Sequence, residues 1–246
     1  MPMPRIAIVA ALDREVSELV KSGKWKLVRR QHDGRQFQFF EHDDWVVLCS
    51  GIGAQAARRA AEAVIALYNS DQLYSVGFAG ALDASLRVGE LFSPSFLLDA
   101  RDGSRVPLPG EDGTLITFME VAGMEQKIKL AQAYSARAVD MEAAAVAACA
   151  SAHGIAFGVT KVISDELNFQ MPDLSAFIDS EGRFRTAEFV LFAAIRPWLW
   201  WRLGILARNT SKAASVLGEH LKVLCSDAGS IVRSNSALAK PTEVRR

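Results

Sequence analysis

The sequence has no net charge and few cysteines. Among its 246 residues, 28 Lys and Arg balance 28 Asp and Glu, so the overall charge gives no reason to expect nucleic acid or an anionic membrane as partner. The three cysteines, Cys49, Cys149 and Cys225, are odd in number and far apart, which is typical of reduced thiols. This composition favours a small-molecule partner and predicts a cytoplasmic location.

No apolar segment matches an export signal or a membrane span. The apolar run near the start of MPMPRIAIVAALDREV is too short for a signal-peptide core, so we predict a first strand at Ile6–Ala11. The later segment Phe189–Leu206 is interrupted by two arginines and a proline, whereas a spanning helix needs about 20 apolar residues. A contact of residues 192–202 with a membrane surface stays open, because arginines flank a tryptophan cluster there.

Motifs for common cofactors and for other hydrolases are missing as well. No G-x-G-x-x-G, P-loop or G-x-S-x-G pattern occurs in the sequence. The four histidines, His32, His42, His153 and His220, lack the spacing of metal ligands. We therefore predict that the protein uses no metal and no organic cofactor.

Apolar strands alternate with amphipathic or alanine-rich helices along most of the chain. Examples are the strand Ile6–Ala11, the helix Ala54–Tyr68 and the strand Leu73–Ala79. This order predicts an α/β fold: a single-domain, three-layer α/β/α sandwich with a twisted, mostly parallel mixed sheet over residues 1–225. Residues 226–246 are rich in Ser, Ala and charge without apolar periodicity, so we expect a poorly ordered tail.

The stretch Val139–Asp165 carries carboxylates at both ends. An alanine-rich helix at Glu142–Ala152 is followed by His-Gly and by the apolar strand Ile155–Ile163, which leads into Asp165. Glu142 follows one predicted strand, Asp165 follows the next, and Glu15 follows the first strand of the chain. Because open α/β sheets build their sites at the carboxyl ends of strands, we expect all three carboxylates on one rim.

The segment AVDMEAAAVA, followed by VISDE, resembles the paired motifs of the purine nucleoside phosphorylase and nucleosidase superfamily. The pattern is closest to the methylthioadenosine/S-adenosylhomocysteine nucleosidases, which read like V-E-M-E-A and A-I-S-D. The resemblance implies hydrolytic cleavage of the N-glycosidic bond of a purine nucleoside, with adenine as base, in nucleoside catabolism or methionine salvage. It assigns Asp165 as the acid at purine N7, Glu142 as the ligand of the ribose hydroxyls, and Glu15 as the residue that orients the attacking water.

The resemblance also implies a set of residues around the base and sugar: Phe78, Ala79, Gly80, Met141, Lys161 and Ser164. Phe78 stands where relatives have a small Ser or Thr, and Lys161 matches an arginine of the nucleosidases. Ser164 would position Asp165. The segment Thr117–Gln126 is shorter than in relatives and leaves the base-stacking residue unassigned. The superfamily further implies a homo-oligomer, either a dimer or a trimer.

Other interpretations remain open from the sequence. Taken singly, Ser-Asp at a strand end is a common helix cap, and a glutamate in a first turn is favoured by the helix dipole. Phosphorolysis is the alternative reaction, with phosphate meeting Arg14, Arg87 or Lys161. A second alternative is a non-catalytic nucleoside-binding or membrane-associated protein.

The tryptophan-rich segment bears on the substrate. Trp198, Trp200 and Trp201 lie among aliphatic residues, so we predict that this region helps to receive an apolar group at the ribose 5′ position. That group would range from methylthio to an adenosylated lipid such as adenosylhopane, since the chain also somewhat resembles hopanoid-associated phosphorylases. A subunit interface is an equally good interpretation, because Trp is enriched at interfaces.

Overall fold

The computed structural model describes residues 5–172, 174–179 and 181–238. Within them, strands form one mixed sheet in the order β2-β3-β4-β1-β5-β10-β9-β7-β8, with β11 beside β5 and β6 beside β11. The strands are β1 (Ile6–Ala10), β2 (Lys26–His32), β3 (Arg35–His42), β4 (Trp45–Cys49), β5 (Gln72–Ala81), β6 (Leu91–Phe92), β7 (Phe96–Asp99), β8 (Arg105–Pro107), β9 (Thr114–Thr117), β10 (Ala136–Asp140) and β11 (Ala156–Asp165). The α-helices are α1 (Asp13–Ser22), α2 (Ala54–Tyr68), α3 (Met124–Tyr134), α4 (Ala143–Ala152), α5 (Thr186–Ala194) and α6 (Pro197–Leu238).

Strand β5 is the centre of the sheet. It pairs in parallel with β1 along Gln72–Ser75 and with β11 from Gln72 to Gly80. Its last residues turn to β10, where Gly80 and Ala81 pair antiparallel with Val139 and Ala138. β1, β5 and β11 run parallel, so their carboxyl ends lie at one edge of the sheet, and antiparallel β10 brings its own carboxyl end beside the last residues of β5. Ligands bind at this edge in open α/β folds.

The helices cover both faces of this sheet. On one face α2 and α4 pack their alanines against β1, β4 and β5, with Ala57, Ala60 and Ala145 fully buried. On the other face α1 and α6 pack against β1, β4 and β11, with Leu217 and Leu221 in the interface. Small side chains let α2 and α4 lie close to the strands, and burial of apolar area contributes about 25 cal/mol per Å² to folding.

The structure confirms the predicted α/β/α sandwich around a mixed sheet. Helix α2 has the predicted bounds, and β3 and β4 form an antiparallel hairpin. Five of the ten strand pairings are parallel and five are antiparallel, the latter mostly toward the sheet edges. Helix α6 continues to Leu238, past the expected start of the tail at Ser226; residues 239–246 lie outside the described residues.

Candidate active site

Glu15 is held by backbone N–H groups at the first turn of α1. Its Oε2 accepts hydrogen bonds from Ala11 N at 2.8 Å and Leu12 N at 2.9 Å, and its Oε1 accepts one from Phe78 N at 3.0 Å. Burial raises the pKa of this carboxyl, and the effect outweighs the lowering by the N–H groups and by the charge of Lys161. Glu15 is therefore a fixed, buried carboxylate with a raised affinity for a proton.

Glu142 lies between the end of β10 and the first residue of α4. Its Oε1 accepts a hydrogen bond from Gly53 N at 2.7 Å, and its Oε2 accepts one from Met141 N at 3.3 Å. Burial and the negative charge of Asp140 raise the pKa of Glu142 to about 7, against the lowering effect of Lys161. The loop before α2 thus reaches across to orient this second carboxylate.

Beneath these two glutamates lies a buried ion pair between Asp140 and Lys161. Lys161 Nζ is 2.8 Å from Asp140 Oδ2, and both side chains are inaccessible to solvent. Asp140 also accepts hydrogen bonds from Thr117 Oγ1 at 2.6 Å and from Ala143 N at 2.8 Å. Burial lowers the pKa of Lys161, but the charges of Asp140, Glu142 and Glu15 raise it more, so the net shift is upward.

Lys161 consequently differs from our expectation of a substrate ligand. It lies four residues before the end of β11 and does not line the cavity described below, although its Nζ reaches Asp140, which does. The buried charge of Asp140 holds the ammonium inside the sheet. In this position its positive charge lowers the pKa of Glu15 and of Glu142, against the raising effect of burial.

Asp165 ends β11 next to a β-bulge. The pairing of β11 with β5 shifts between Ile163 and Asp165, so Ser164 is the extra residue. Such bulges re-aim side chains at the ends of strands. Ser164 Oγ donates to Asp165 Oδ1 at 2.6 Å, and the other carboxylate oxygen faces Gly80, where an added Cβ would lie 3.1 Å away.

Sequence reasoning missed Lys127, which is in direct contact with Asp165. Its Nζ forms an ion pair with Asp165 Oδ2 and donates to Glu166 O at 2.9 Å. The side chain of Lys127 is only 1% exposed. No sequence feature of the short helix α3 distinguishes Lys127 from a solvent-exposed lysine. Its contact with Asp165 is therefore visible only in the three-dimensional structure.

A cavity of about 170 Å³ lies at this edge of the sheet. All three predicted carboxylates line it, and so do all of the predicted neighbours except Lys161: Phe78, Ala79, Gly80, Met141 and Ser164. The remaining lining residues are Ala11, Leu12, Ile52, Glu120, Val121, Ala122, Lys127, Val139, Asp140 and Met171. The structure thus gathers residues from seven segments of the chain around one small, charged space.

A second groove of about 620 Å³ adjoins the cavity on the side of Glu15. The two spaces share Ala11 and Leu12, and the groove is further lined by Phe37, Phe40 and Phe184. The tryptophans that we expected to receive a substrate group line neither space. Trp198, Trp200 and Trp201 are exposed on the surface, and Trp201 borders a third groove that contains Glu166.

The described residues contain no group of three or more His, Cys, Asp or Glu side chains arranged to hold a metal ion. Among the helices described, none combines the length and apolarity required to cross a bilayer.

The comparisons with known proteins agree with this geometry. A curated 5′-methylthioadenosine/S-adenosylhomocysteine nucleosidase from Halalkalibacterium halodurans is 27% identical over 200 residues, or 66% of this chain and 86% of that protein. Among solved structures, the corresponding nucleosidase of Helicobacter pylori, bound to a pyrrolidine inhibitor, has a TM-score of 0.68 at 16% identity and covers 92% of this chain and 100% of its own.

Two further structures share the fold. The S-adenosylhomocysteine nucleosidase of Streptococcus pyogenes has a TM-score of 0.63 at 18% identity, over 91% of this chain and 98% of that one. The futalosine hydrolase of H. pylori has a TM-score of 0.62 at 16% identity, over 87% and 96%. The family model of the phosphorylase superfamily matches residues 5–118 and 113–195, which is most of the chain. This protein therefore belongs to the phosphorylase superfamily.

Proposed function

We propose that the protein is a nucleosidase that hydrolyses the N-glycosidic bond of a purine nucleoside with adenine as base. One observation carries the proposal: Glu15, Glu142 and Asp165 arrive from three different strand ends and line the same cavity. Cleavage of this bond needs protonation of the departing base, stabilisation of a positively charged ribosyl group, and an oriented nucleophile. Three carboxylates in one cavity can supply all three.

The environment of each carboxylate suits a distinct role. Asp165 shares the cavity with Lys127 and donates a proton to purine N7. Glu142, oriented by Gly53, accepts hydrogen bonds from the ribose hydroxyls, and these strengthen as positive charge develops on the sugar. Glu15 has a raised pKa, which makes it a suitable acceptor for the proton of the attacking water.

The named relatives support adenine as the base and water as the nucleophile. The curated relative and the H. pylori structure are nucleosidases of methylthioadenosine and S-adenosylhomocysteine by name, and the S. pyogenes structure is a nucleosidase of S-adenosylhomocysteine by name. Both compounds are 5′-substituted adenine nucleosides. The cavity of the present chain contains the carboxylates that such a reaction requires.

The cations in the structure favour hydrolysis over phosphorolysis. Of the described residues that line the cavity, Lys127 is the sole lysine or arginine, and it is paired with Asp165. Arg14 lies 3.3 Å from Thr210 Oγ1, and Arg87 donates to the carbonyl oxygen of Ala84. With Lys161 bound to Asp140, the described residues that line the cavity include no guanidinium and no unpaired ammonium that could hold a phosphate nucleophile. Arg35, Arg59 and Arg183 line the adjoining groove, where Arg35 and Arg59 pair with Glu181.

The groove beside Glu15 provides room for a 5′ substituent. It lies at the Ala11–Leu12 end of the cavity, whereas the proposed base position is at Asp165, so a group on the ribose 5′ carbon points into it. Phe37, Phe40 and Phe184 offer apolar contacts there. We propose that these residues, rather than the tryptophans, receive the apolar 5′ group.

The exposed apolar surface of α5 and α6 supports the expected homo-oligomer. It comprises Val190, Leu191, Ile195, Trp198, Trp200 and Trp201, of which Trp201 is 77% exposed. Exposed apolar clusters of this kind mark interaction sites, and we propose a second copy of the chain as the partner. Light scattering of Trp198→Ser/Trp201→Ser would show a smaller species; an unchanged mass together with lost binding to lipid vesicles would assign the surface to a membrane instead.

A nucleoside panel tests the function directly. The protein is incubated with adenosine, methylthioadenosine, S-adenosylhomocysteine and inosine, with and without phosphate, and the free base and sugar are separated by chromatography. Release of adenine with the free sugar, which is ribose, 5-methylthioribose or S-ribosylhomocysteine according to the substrate, at a rate independent of phosphate, supports the proposal. Formation of a sugar 1-phosphate at a rate that saturates with phosphate would show phosphorolysis.

A further inference from the structure

We propose that Lys127 is a positioning residue that stores the proton which Asp165 delivers to the departing base. This inference rests on the proposed nucleosidase function and adds to it a residue outside the motifs that carry the family resemblance. Lys127 lies in α3, a helix of 11 residues. Only two side chains of α3, those of Lys127 and Leu130, are buried.

The surroundings of Lys127 are unusual for a lysine. Its ammonium faces Asp165 Oδ2, Glu166 O at 2.9 Å and Asp165 O at 3.4 Å, and it lines the same cavity as Asp165. Lysines are almost never fully buried unless paired, and a buried ion pair contributes little net stability compared with apolar residues of similar volume. A leucine at this position would anchor α3 at least as well. The charge at this site therefore has a chemical purpose.

The role of the Lys127 ammonium follows from the source of the proton that the departing base needs. An isolated aspartate has a pKa of about 3.9 and is ionised at neutral pH, so it has no proton to give to N7. The Lys127–Asp165 pair holds one proton between an ammonium and a carboxylate. When N7 of a bound purine approaches Asp165, the ammonium passes its proton to Oδ2, and the carboxyl passes a proton to N7.

The rest of the reaction balances. The electrons of the C1′–N9 bond move to N9, so the base leaves as a neutral molecule with hydrogen on N7. Water adds to C1′ and its proton goes to Glu15, which the structure holds ready with a raised pKa. Lys127 is then a neutral amine, and exchange of one proton from Glu15 to Lys127 through solvent restores the starting state.

Other groups near Asp165 cannot take this role. Ser164 Oγ donates to Oδ1 at 2.6 Å, but a hydroxyl does not release its proton at neutral pH. Lys161 is bound to Asp140 and does not line the cavity. Among the described residues that hydrogen-bond to the Asp165 carboxylate, Lys127 is the one ammonium.

The test is the pH dependence of Lys127→Met relative to the wild type. The variant must take its proton from a lone aspartic acid, of which only about one molecule in 10⁴ is protonated at pH 8, so we expect turnover of methylthioadenosine to be about 10⁴-fold lower at that pH. The ratio of variant to wild-type kcat should then rise about tenfold for each unit of decreasing pH between 8 and 5, as Asp165 becomes protonated from solvent. Effects of Glu15 and Glu142 cancel in this ratio.

Two further variants separate proton storage from structure. Lys127→Arg keeps the positive charge beside Asp165 but does not release a proton, so it should show the same pH-dependent defect. Lys129→Met is the matched control, because it removes an exposed lysine of the same helix, paired with Glu125 at 2.7 Å. For this variant the ratio of its kcat to the wild-type kcat should stay near one at every pH. A Lys127→Met defect that is constant with pH, or full activity of Lys127→Arg, would overturn the inference. Inactivity of the wild type on every nucleoside would instead contradict the proposed function.

Discussion

Gly77 lies directly beside the carboxylate of Glu15. A methyl group at its Cα would come within 2.8 Å of Glu15 Cδ and of both carboxylate oxygens. The backbone at Gly77 also has a φ of +139°, which side chains other than hydrogen rarely accept. The close approach of these two residues allows the neighbouring Phe78 N–H to reach Glu15 Oε1.

Gly77→Ala should therefore displace Glu15. A shift of about 1 Å in a reacting group can lower turnover 10²-fold, and we expect a loss of that order in kcat, with a lower melting temperature. Gly103→Ala is the matched control, because Gly103 also has a positive φ, of +75°, but an added Cβ would have no neighbour within 4 Å. Equal kcat values for the two variants would contradict the proposed role of Glu15.

Asp165→Asn should abolish acid catalysis while leaving the fold intact. Asparagine still accepts a hydrogen bond from Ser164 but has no acidic proton, so we expect kcat on methylthioadenosine to fall by at least about 10²-fold. Circular dichroism checks folding, and binding of a non-hydrolysable adenine nucleoside analogue checks that the cavity remains. Near-normal turnover in the folded variant would remove Asp165 from the role of acid.

The raised pKa of Glu142, about 7, predicts the pH dependence of substrate capture. As the pH falls through this value the carboxylate gains a proton and loses its charge, so its hydrogen bonds to the ribose weaken. We expect kcat/KM of the wild type to be highest above pH 7. Below pH 7 it should decrease, and the decrease should approach about tenfold for each pH unit. A profile that is flat from pH 5 to 8 would contradict this assignment.

Lys161→Met should lower the stability of the protein, because Lys161 pairs with the buried Asp140 and does not line the cavity. The change leaves Asp140 buried without its counter-ion, for which losses of about 3–5 kcal/mol in the free energy of unfolding are typical. The double variant Asp140→Asn/Lys161→Met removes both charges and should recover part of this loss. Urea unfolding of the three proteins measures the effect, and equal stability of wild type and Lys161→Met would show that the pair is unimportant.

Phe40→Ala should alter selectivity for the 5′ group, whereas Trp201→Ala should not. Phe40 lines the groove that adjoins Glu15, and Trp201 is exposed elsewhere. We expect Phe40→Ala to raise KM about tenfold for a long-chain 5′-alkylthioadenosine and to leave KM for adenosine nearly unchanged, since a lost apolar contact is worth about 1–3 kcal/mol. If Trp201→Ala gave this pattern and Phe40→Ala did not, the tryptophan region would be the receiving site after all.

Those parts of the fold with strong local signals could be predicted from the sequence. Helix α2 was predictable because alanine periodicity and flanking Gly53 and Asn69 define its ends, and Asn69 adopts the left-handed cap conformation. The approach of Glu15, Glu142 and Asp165 was predictable because each follows a strand, and strand ends meet at one edge.

Features that depend on distant contacts could not be predicted. Lys127 meets Asp165 across 38 residues of sequence, and nothing near either residue indicates the pairing. The bulge at Ser164 interrupts the alternation of side chains along β11, so the position of Lys161 relative to Asp165 could not be read from residue spacing. Both features belong to the packing of the whole sheet.

The backbone groups that hold Glu15 have an energetic consequence for any ligand of the cavity. They belong to Ala11 and Leu12, directly after β1, and to Phe78 of β5, which is held in the sheet by its pairing with β11. A free glutamate side chain loses about 1–2 kcal/mol of rotational entropy when it becomes ordered. Here that loss is incurred once, when the chain folds. A ligand that enters the cavity therefore meets a preorganised carboxylate, and its affinity is not reduced by the ordering of Glu15.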